Sequence, residues 1–286
     1  MSSSHLPDVI GSGKVAVVTG AASGIGFGLS ERFAAEGMHV VMADVEEPAL
    51  AKAASVLADS GASVLPVVTD VSDAAAVEAL RDTAVSAFGA AHVVCNNAGV
   101  GGPHGPLWEC PPGEWDWVLG VNLGGVINGV RTFMPLLLEQ EAAHMVNTAS
   151  IFGVFAGALG PYGVSKHAVV ALTETLYFNL RSLGVSHVGV SVLCPGAVRT
   201  NFGTSARNRP PWAGPPAVTG AAEQASAEQF NRLAVAGAPP AEVAGIVVDG
   251  IRAGRFYILT SVNRSSAVTR RGEEIVAGGP PARPFP

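Results

Sequence analysis

KVAVVTGAASGIGFGLSERFAAEG, residues 14–37, contains a pattern from which the architecture of the chain can be predicted. Its first part, KVAVVTG, is an apolar run of the kind that is buried on both faces of a sheet. Gly20, Gly24 and Gly26 then punctuate a turn, and apolar residues recur at helical spacing from Phe27 onward. This succession predicts a β-strand, a tight turn and an α-helix at the start of an α/β fold.

The glycine turn also predicts a ligand. Glycines let backbone N–H groups approach a pyrophosphate closely, and the positive end of the following helix favours its negative charge. Ser23 and Ile25 stand between the glycines. We therefore expect this turn to bind a dinucleotide.

Strand-like and helix-like segments alternate along the rest of the chain. Further strands are expected at 38–44, 63–73, 91–99, 146–150, 187–196 and 255–261. Helices are expected at 47–60, 74–89, 114–140, 161–183 and 239–254. The segment 101–113, rich in Gly and Pro, is expected to be a loop.

An acidic residue closes the second strand. Asp44 follows Gly26 by 18 residues, about where a carboxylate meets the ribose hydroxyls of a bound adenosine. Its charge would repel a 2′-phosphate, which predicts a preference for NAD(H) over NADP(H). The alternative is that Asp44 only caps the helix that begins near residue 47.

Polar and flexible residues also close the third and fourth strands. Asp70 and Val71 are expected to hold the adenine edge, although Asp70 or Ser72 could also cap the next helix. Asn97, Ala98 and Gly99 are expected to lie beside the cofactor. In open parallel sheets, ligands bind at this end of the strands.

NTASIFGVFAGALGPYGVSK, residues 147–166, carries the candidate chemistry. Tyr162 and Lys166 are four residues apart on a predicted helix, so they share one face. An ammonium ~4.5 Å from the phenol would favour the phenolate by roughly 3 to 4 kcal/mol. The pKa of Tyr162 should therefore fall toward neutrality, and Ser150 would hydrogen-bond the same substrate oxygen. The alternative for such a pair is an ordinary ion pair on a helix surface.

Two further groups of residues extend this site. Asn122 stands among small and apolar residues, so it either satisfies backbone groups locally or anchors a water. PGAVRT, residues 195–200, follows the sixth strand. Its cofactor-binding candidates are Pro195, Gly196, Val198 and Thr200, the last of which could contact a ring amide.

Residues 201–240 are rich in Pro, Gly, Ala, Ser and Gln, which predicts an irregular lid. An apolar substrate pocket is expected beneath it, because aromatic and aliphatic residues flank the reacting position. The pocket candidates are Trp108, Ile151, Phe152, Phe155, Phe202, Trp212 and Phe230. Arg199, Arg207 and Arg209 could instead bind a carboxylate, or they are solvated.

Composition excludes several classes of protein. The net charge of -6 argues against a nucleic-acid surface. Three dispersed cysteines suggest neither disulfides nor a metal site, and each is expected to be a small buried hydrophobe. The chain offers no run of eighteen apolar residues, so a soluble cytoplasmic protein without a membrane partner is expected.

Taken together, these motifs resemble the short-chain dehydrogenase/reductase family from about Lys14 to Ser261. They are TGAASGIG at 19–26, Asp44, DV at 70–71, NNAG at 96–99, Asn122, Ser150, YGVSK at 162–166 and PGAVRT at 195–200. The resemblance implies a single Rossmann-type domain with a doubly wound, seven-stranded parallel sheet in the order 3-2-1-4-5-6-7 and helices on both faces. Around it we expect a flexible segment at 1–13, a catalytic domain at 14–261 that includes the lid, and a tail at 262–286.

The resemblance also implies roles for four residues. Tyr162 would be the acid/base, and Lys166 would bind the nicotinamide ribose and lower the tyrosine pKa. Ser150 would orient the carbonyl, and Asn122 would hold a proton-relay water. A homotetramer or homodimer built on the helices at 114–139 and 161–183 is implied as well.

The sequence thus predicts an NAD(H)-dependent enzyme that interconverts a hydrophobic secondary alcohol and its ketone. Two alternatives remain open at this stage. The same four residues would serve an enzyme acting on imines or dihydrodiols, and the fold could belong to a non-catalytic protein that binds the dinucleotide as a regulatory ligand.

Overall fold

Seven parallel strands form the centre of the molecule, which the computed structural model describes for residues 8–103, 105–155, 157, 160–214, 220–261 and 265–281. The strands are β1 Val15–Thr19, β2 His39–Asp44, β3 Val64–Val68, β4 Val93–Asn96, β5 Ala143–Thr148, β6 Val188–Cys194 and β7 Tyr257–Leu259. They lie in the order β3-β2-β1-β4-β5-β6-β7, and each neighbouring pair is parallel. The predicted doubly wound sheet is confirmed.

Nine α-helices of the described residues connect and cover the strands. They are α1 Gly24–Ala35, α2 Glu47–Asp59, α3 Ala74–Phe88, α4 Pro112–Leu119, α5 Gly125–Leu138, α6 Gly160–Ser182, α7 Ala221–Val235, α8 Pro240–Arg252 and α9 Ser265–Ala277. All strands run in the same direction, but the order in which the chain adds them to the sheet reverses between β1 and β4. In such folds a crevice for ligands opens at this point.

Apolar residues fill both faces of the sheet, as the continuous apolar strands require. Phe33 of α1 lies fully buried on one face, in a cluster with Leu29 and Val18. Phe133 of α5 lies on the other face with Val17. The strand ends are therefore held rigidly at the edge where the motifs accumulate.

The N-terminal segment differs from its prediction. Residues 1–13 were expected to be flexible, but Val9 and Ile10 are 5% and 3% exposed and belong to the core cluster that contains Phe33. Asp8 accepts a hydrogen bond from the N–H of Ile10 at 3.0 Å. Two apolar residues are enough to tie this part down, whereas residues 1–7 lie outside the described residues.

The long helix predicted at 114–140 is interrupted. A π-helical segment, Gly120–Gly124, separates α4 from α5 and carries Asn122. By length and composition the stretch Pro112–Leu138 could cross a membrane, with a mean hydropathy of 1.2. In this fold it lies beside the sheet, and Asn122 in its middle is fully buried.

The lid is more regular than its sequence predicts. It contains the 3₁₀ segments Phe202–Asn208 and Pro211–Ala213, followed by α7. The sequence of α7, AAEQASAEQFNRLAV, lacks the apolar spacing of an amphipathic helix, yet it is rich in Ala, Glu and Gln, which favour helix intrinsically. Periodicity was therefore the wrong signal for this element, and propensity the right one.

Candidate active site

A cleft opens at the carboxyl edge of the sheet, where the predicted cofactor residues meet. Gly26 is not among the lining residues, and only glycine fits there, because a Cβ would stand 2.0 Å from the carbonyl oxygen of Gly20. The other predicted positions line the cleft: Gly20, Ser23, Gly24, Ile25, Asp44, Asp70, Val71, Asn97, Ala98, Gly99, Tyr162, Lys166, Pro195, Gly196, Val198 and Thr200.

The glycine turn is built for close approach. Gly20 and Gly24 have φ of 68° and 56°, which disfavours other residues. A Cβ at Gly24 would lie 2.9 Å from Cγ2 of Thr200. Ser23 caps α1 without a side-chain hydrogen bond, and the first turn of the helix holds no acidic residue. The unpaired N–H groups of α1 therefore fit the pyrophosphate of a dinucleotide.

Asp44 is fixed by two backbone groups at the rim of the cleft. Its Oδ2 accepts from the N–H of Ala22 at 2.9 Å, and its Oδ1 accepts from the N–H of Glu46 at 3.0 Å. Asp44 thus braces the turn before α2 and also lines the cleft. Further lone pairs remain on both oxygens for ligand hydroxyls.

Asp70 does not cap α3. Its Oδ1 accepts from the N–H and the hydroxyl of Ser72, while Asp73 is the N-cap and accepts from the N–H of Ala75 at 2.9 Å. Asp73, which was not among the candidates from the sequence, takes this place because its extended backbone conformation suits an N-cap.

Ser150, Tyr162 and Lys166 converge at the inner end of the cleft. Ser150 follows β5 and hydrogen-bonds the hydroxyl of Tyr162. Lys166 is buried, donates to the carbonyl oxygen of Thr148 at 2.9 Å, and places its Nζ 5.7 Å from the ring centroid of Tyr162. The Gly99 backbone closes the opposite side, since a Cβ there would lie 3.4 Å from that Nζ.

The pKa of the phenol differs in direction from the expectation. Burial raises the pKa of Tyr162 to about 12, although the hydrogen bond from Ser150 opposes it. Burial likewise lowers the pKa of Lys166 to about 8. Both charged forms lose solvation in the interior, and this outweighs the attraction that helical spacing alone predicts.

The side chain of Asn122 forms hydrogen bonds within the protein. Its Oδ1 accepts from the N–H of Val100 at 2.8 Å, and its Nδ2 donates to the carbonyl oxygen of Val100 at 2.9 Å. Nδ2 also donates to the hydroxyl of Ser165 at 3.1 Å. These bonds satisfy backbone groups locally, one of the two roles open from the sequence, and they tie the loop after β4 to α6.

Four of the predicted pocket residues are elsewhere. Ile151 and Phe155 are 2% and 1% exposed and pack with Ala267 of α9, and Phe152 joins the same cluster. The 3₁₀ turn Ile151–Gly153 directs this segment toward the tail instead of the cleft. Trp108 is 85% exposed to solvent. Proximity in sequence to Ser150 therefore did not predict the direction in which these side chains point.

Phe202 and Trp212 do line the cleft, and Phe202 packs edge-on against Tyr162 with ring centroids 5.3 Å apart. The side chain of Phe230 lies outside the described residues. The sequence reasoning missed several apolar lining residues, which sit on helices and turns with no motif of their own: Val100, Trp117, Val121, Pro210 and Ala234.

The lid arginines are engaged within the protein. Arg207 pairs with Glu46, and Arg209 pairs with Glu114. Arg209 also donates to the carbonyl oxygens of Ala213 and Gly214. Arg209 is therefore buried and Arg207 is partly exposed, and both guanidiniums are already paired and do not offer a ready site for a substrate carboxylate.

Other titratable side chains near the site have structural contacts. His167 bonds the carbonyl oxygen of Gly163 at 3.0 Å and meets Arg271 of α9 at 2.8 Å. Cys95 and Cys194 are buried as expected, whereas Cys110 is half-buried. Among the residues with described positions, no three His, Cys, Asp or Glu side chains are grouped to hold a metal ion.

Comparison with known proteins agrees with this geometry. Residues 14–211 match the model of the short chain dehydrogenases. The chain belongs to the short-chain dehydrogenase/reductase family. It is accordingly an oxidoreductase with the Rossmann-type fold described above.

Relatives of this short-chain dehydrogenase cover most of its length. It is 42% identical over 253 residues to 1-deoxy-11-beta-hydroxypentalenate dehydrogenase of Streptomyces exfoliatus, covering 87% of this chain and 83% of that protein. It is 32% identical to C alpha-dehydrogenase of Sphingobium sp., covering 86% and 80%. A crystal structure of a short-chain dehydrogenase/reductase from Burkholderia phymatum in complex with NAD has a TM-score of 0.93 at 45% identity, covering 97% of this chain and 99% of that chain.

Proposed function

We propose that this short-chain dehydrogenase uses NAD(H) to interconvert a hydrophobic secondary alcohol and its ketone. The observation that carries the proposal is the convergence of Ser150, Tyr162 and Lys166 at the inner end of a cleft whose outer end holds the glycine turn and Asp44. The Burkholderia structure holds NAD, and the Streptomyces relative is named as a dehydrogenase of a hydroxylated compound. Both support this assignment.

Each residue has a role that follows from its contacts. Tyr162 passes the proton to or from the substrate oxygen, and Ser150 donates a hydrogen bond to that oxygen beside the phenol. Lys166, held by Thr148, lies beside the tyrosine ring, where it would bind the nicotinamide ribose and stabilise the phenolate when it forms. When bound, the nicotinamide dinucleotide supplies the site that accepts or delivers the hydride. The proton-relay water assigned to Asn122 by resemblance is kept as a proposal.

The preference for NAD(H) over NADP(H) is proposed on the position of Asp44. Its carboxylate is anchored at the rim, where it would accept from ribose hydroxyls and repel a phosphate. Arg207, which lines the same part of the cleft, is already paired with Glu46. Its charge is therefore largely neutralised toward a phosphate.

An apolar substrate is proposed on the lining near Tyr162. Val100, Trp117, Val121 and Phe202 face this end of the cleft. Burial of apolar surface contributes roughly 25 cal/mol per Å², so a hydrocarbon skeleton gains affinity here. A charged acid would find Arg207, which lines the cleft, already paired with Glu46.

Assembly as a homotetramer or homodimer is also proposed. Val164 and Phe178 of α6 are 47% and 65% exposed, and Ile127 of α5 is 37% exposed. Large apolar side chains on neighbouring helices favour contact with a second copy. Sedimentation velocity of the intact protein measures the state directly, and a monomer at micromolar concentration would refute it.

The catalytic proposal is tested with Tyr162→Phe. Loss of a positioned proton donor should reduce kcat by at least ~10², while NADH binding, followed by fluorescence, is retained. The wild-type rate of alcohol oxidation should also rise with pH through the neutral range without levelling off, because burial raises the pKa of Tyr162 and disfavours its basic form. Retention of near-full activity in Tyr162→Phe would refute the assignment, and NADH binding without any turnover in the wild type would favour a regulatory protein.

A further inference from the structure

The lid reaches across the outer end of the cleft through an ion pair. Nε of Arg207 donates to Oε2 of Glu46 at 3.0 Å, and its Nη2 donates to Oε1. Asn208 donates to the same Oε1 at 2.8 Å. Glu46 stands two residues after Asp44, so this contact joins the lid to the turn that carries the ribose-binding carboxylate.

The same lid segment covers the inner end of the cleft. Phe202 packs edge-on against Tyr162. The hydroxyl of Ser205 accepts from the N–H of Gly101 at 2.9 Å. Residues 201–208, here called the strap, therefore touch the catalytic tyrosine at one end and the Asp44 turn at the other.

Both ends of the strap are anchored independently of Glu46. Before it, Val198 forms a β-bridge with Ala238, and the N–H of Arg199 donates to the carbonyl oxygen of Ala238 at 2.9 Å. After it, Arg209 and Glu114 form an ion pair whose side chains are only 9% and 4% exposed. Opening of the strap consequently leaves its two ends in place.

The contact between Glu46 and Arg207 is the weaker of the two ion pairs to the lid. Its side chains are 38% and 25% exposed for Arg207 and Glu46 respectively. Exposed pairs contribute little and are screened by salt, whereas pairs removed from water are screened much less. The strap is also kinked at Thr204, which has non-helical angles. It is thus the part of the lid that can lift while the Arg209 anchor holds.

We propose that Glu46 and Arg207 form an ionic latch that holds the strap over the dinucleotide cleft and sets the rate at which the dinucleotide leaves. Both are positioning residues, since they act through the strap and not on the reacting atoms. The inference rests on the proposed use of NAD(H). Its distinguishing consequence is a release rate that depends on salt, because the latch is an exposed ion pair.

The test is stopped-flow measurement of NADH dissociation from the intact protein at 50 mM and 500 mM NaCl. Arg207→Gln and Glu46→Gln should each speed dissociation about two- to fivefold at low salt, the change that corresponds to an exposed ion pair. The wild type should release NADH faster at high salt, and both variants should lose most of this dependence. Arg207→Lys, which keeps the charge, should retain most of the salt dependence.

Two further variants serve as controls. Arg81→Gln breaks an exposed pair with Asp82 on α3, away from the cleft, and should release NADH at the wild-type rate. The exchange Glu46→Arg with Arg207→Glu should restore slow, salt-sensitive release. Unchanged release rates in both single variants, or equal salt dependence in wild type and Arg207→Gln, would overturn the latch. If NADH does not bind the wild type at all, the proposed function fails, which is a different outcome from binding with an unaltered rate of release.

Discussion

Where the strands end, the cleft is lined by residues whose positions follow from backbone geometry, whereas the lid opposite is held by pairs of side chains. On the strand side, Gly20 and Gly24 adopt left-handed φ, and Asp44 is fixed by two N–H groups. On the lid side, Arg207 and Arg209 reach carboxylates more than ninety residues earlier in the chain. The first side is therefore expected to keep its shape under most conditions, and the second to respond to salt and to single substitutions.

The largest effect is expected at the buried ion pair that anchors the lid, between Arg209 and Glu114. Arg209→Met leaves Glu114, which is 3% exposed, without its cation, and should lower the free energy of unfolding by about 3 to 5 kcal/mol. Urea denaturation measures it. Adding Glu114→Gln should recover much of the loss, while Arg207→Gln should cost about 1 kcal/mol or less. Equal small losses for the two arginines would show that the lid has no stronger anchor.

On the sheet side, we expect stability to be lost when a buried histidine takes up a proton. His144 of β5 is buried and bonds the hydroxyl of Ser191 at 2.7 Å, and burial lowers its pKa to about 4. The unfolded chain binds this proton at higher pH than the folded one, so stability is full above the unfolded pKa and falls as pH decreases toward 4. Between pH 7 and 5 the loss should be roughly 2 kcal/mol.

Chemical denaturation at each pH measures this loss of unfolding free energy, and the variant His144→Gln provides the comparison. The variant should be less sensitive to pH over this interval. His92, whose pKa burial also lowers, would retain a smaller dependence of the same sign. A variant with an unchanged slope would assign the acid sensitivity to other groups.

At the rim of the cleft, Asp44→Asn should change cofactor preference. Removing the charge while keeping an acceptor oxygen should raise the ratio of kcat/KM for NADP(H) over NAD(H) by about tenfold, the lower end of what a charged hydrogen bond contributes. Asp73→Asn, which alters the cap of α3 outside the cleft, is the matched control. A wild type that already prefers NADP(H) would contradict the role given to Asp44.

The smallest expected effect concerns the substrate pocket, which lies between the strand ends and the lid. Each methylene added to a ketone substrate should improve kcat/KM by up to ~0.8 kcal/mol until the pocket is full. A homologous series of alkyl ketones, followed by NADH absorbance, measures the increment. Trp117→Ala should reduce it, because this ring is buried against the cleft. Faster turnover of short keto acids than of cyclic ketones would contradict an apolar pocket.

The strand side could be predicted from the sequence because its signals are local. A glycine turn between an apolar strand and a helix has few other solutions, and the order of the strands follows from the family motifs. Ser150, Tyr162 and Lys166 were found for the same reason. Even there the pKa of Tyr162 was predicted in the wrong direction, since burial depends on the whole fold and not on helical spacing.

The lid side could not be predicted because its signals are distant in sequence. Nothing local connects Arg207 with Glu46 or Arg209 with Glu114, and no periodicity marks α7. Ile151 and Phe155 were misplaced because a single 3₁₀ turn decides which way they face. Val9 and Ile10 were missed because two apolar residues are too few to form a pattern.

The π-helical segment Gly120–Gly124 determines how the faces of α4 and α5 are rotated relative to each other about the helix axis. A π turn holds one residue more than an α turn, and one residue corresponds to about 100° around an α-helix. Deleting one residue from this segment would let a continuous α-helix form, but Trp117 on one flank or Phe133 on the other would then have to leave its present face. The spacing between these two aromatic residues is therefore under tighter constraint than their identity, and related chains should tolerate substitution here better than a change of length.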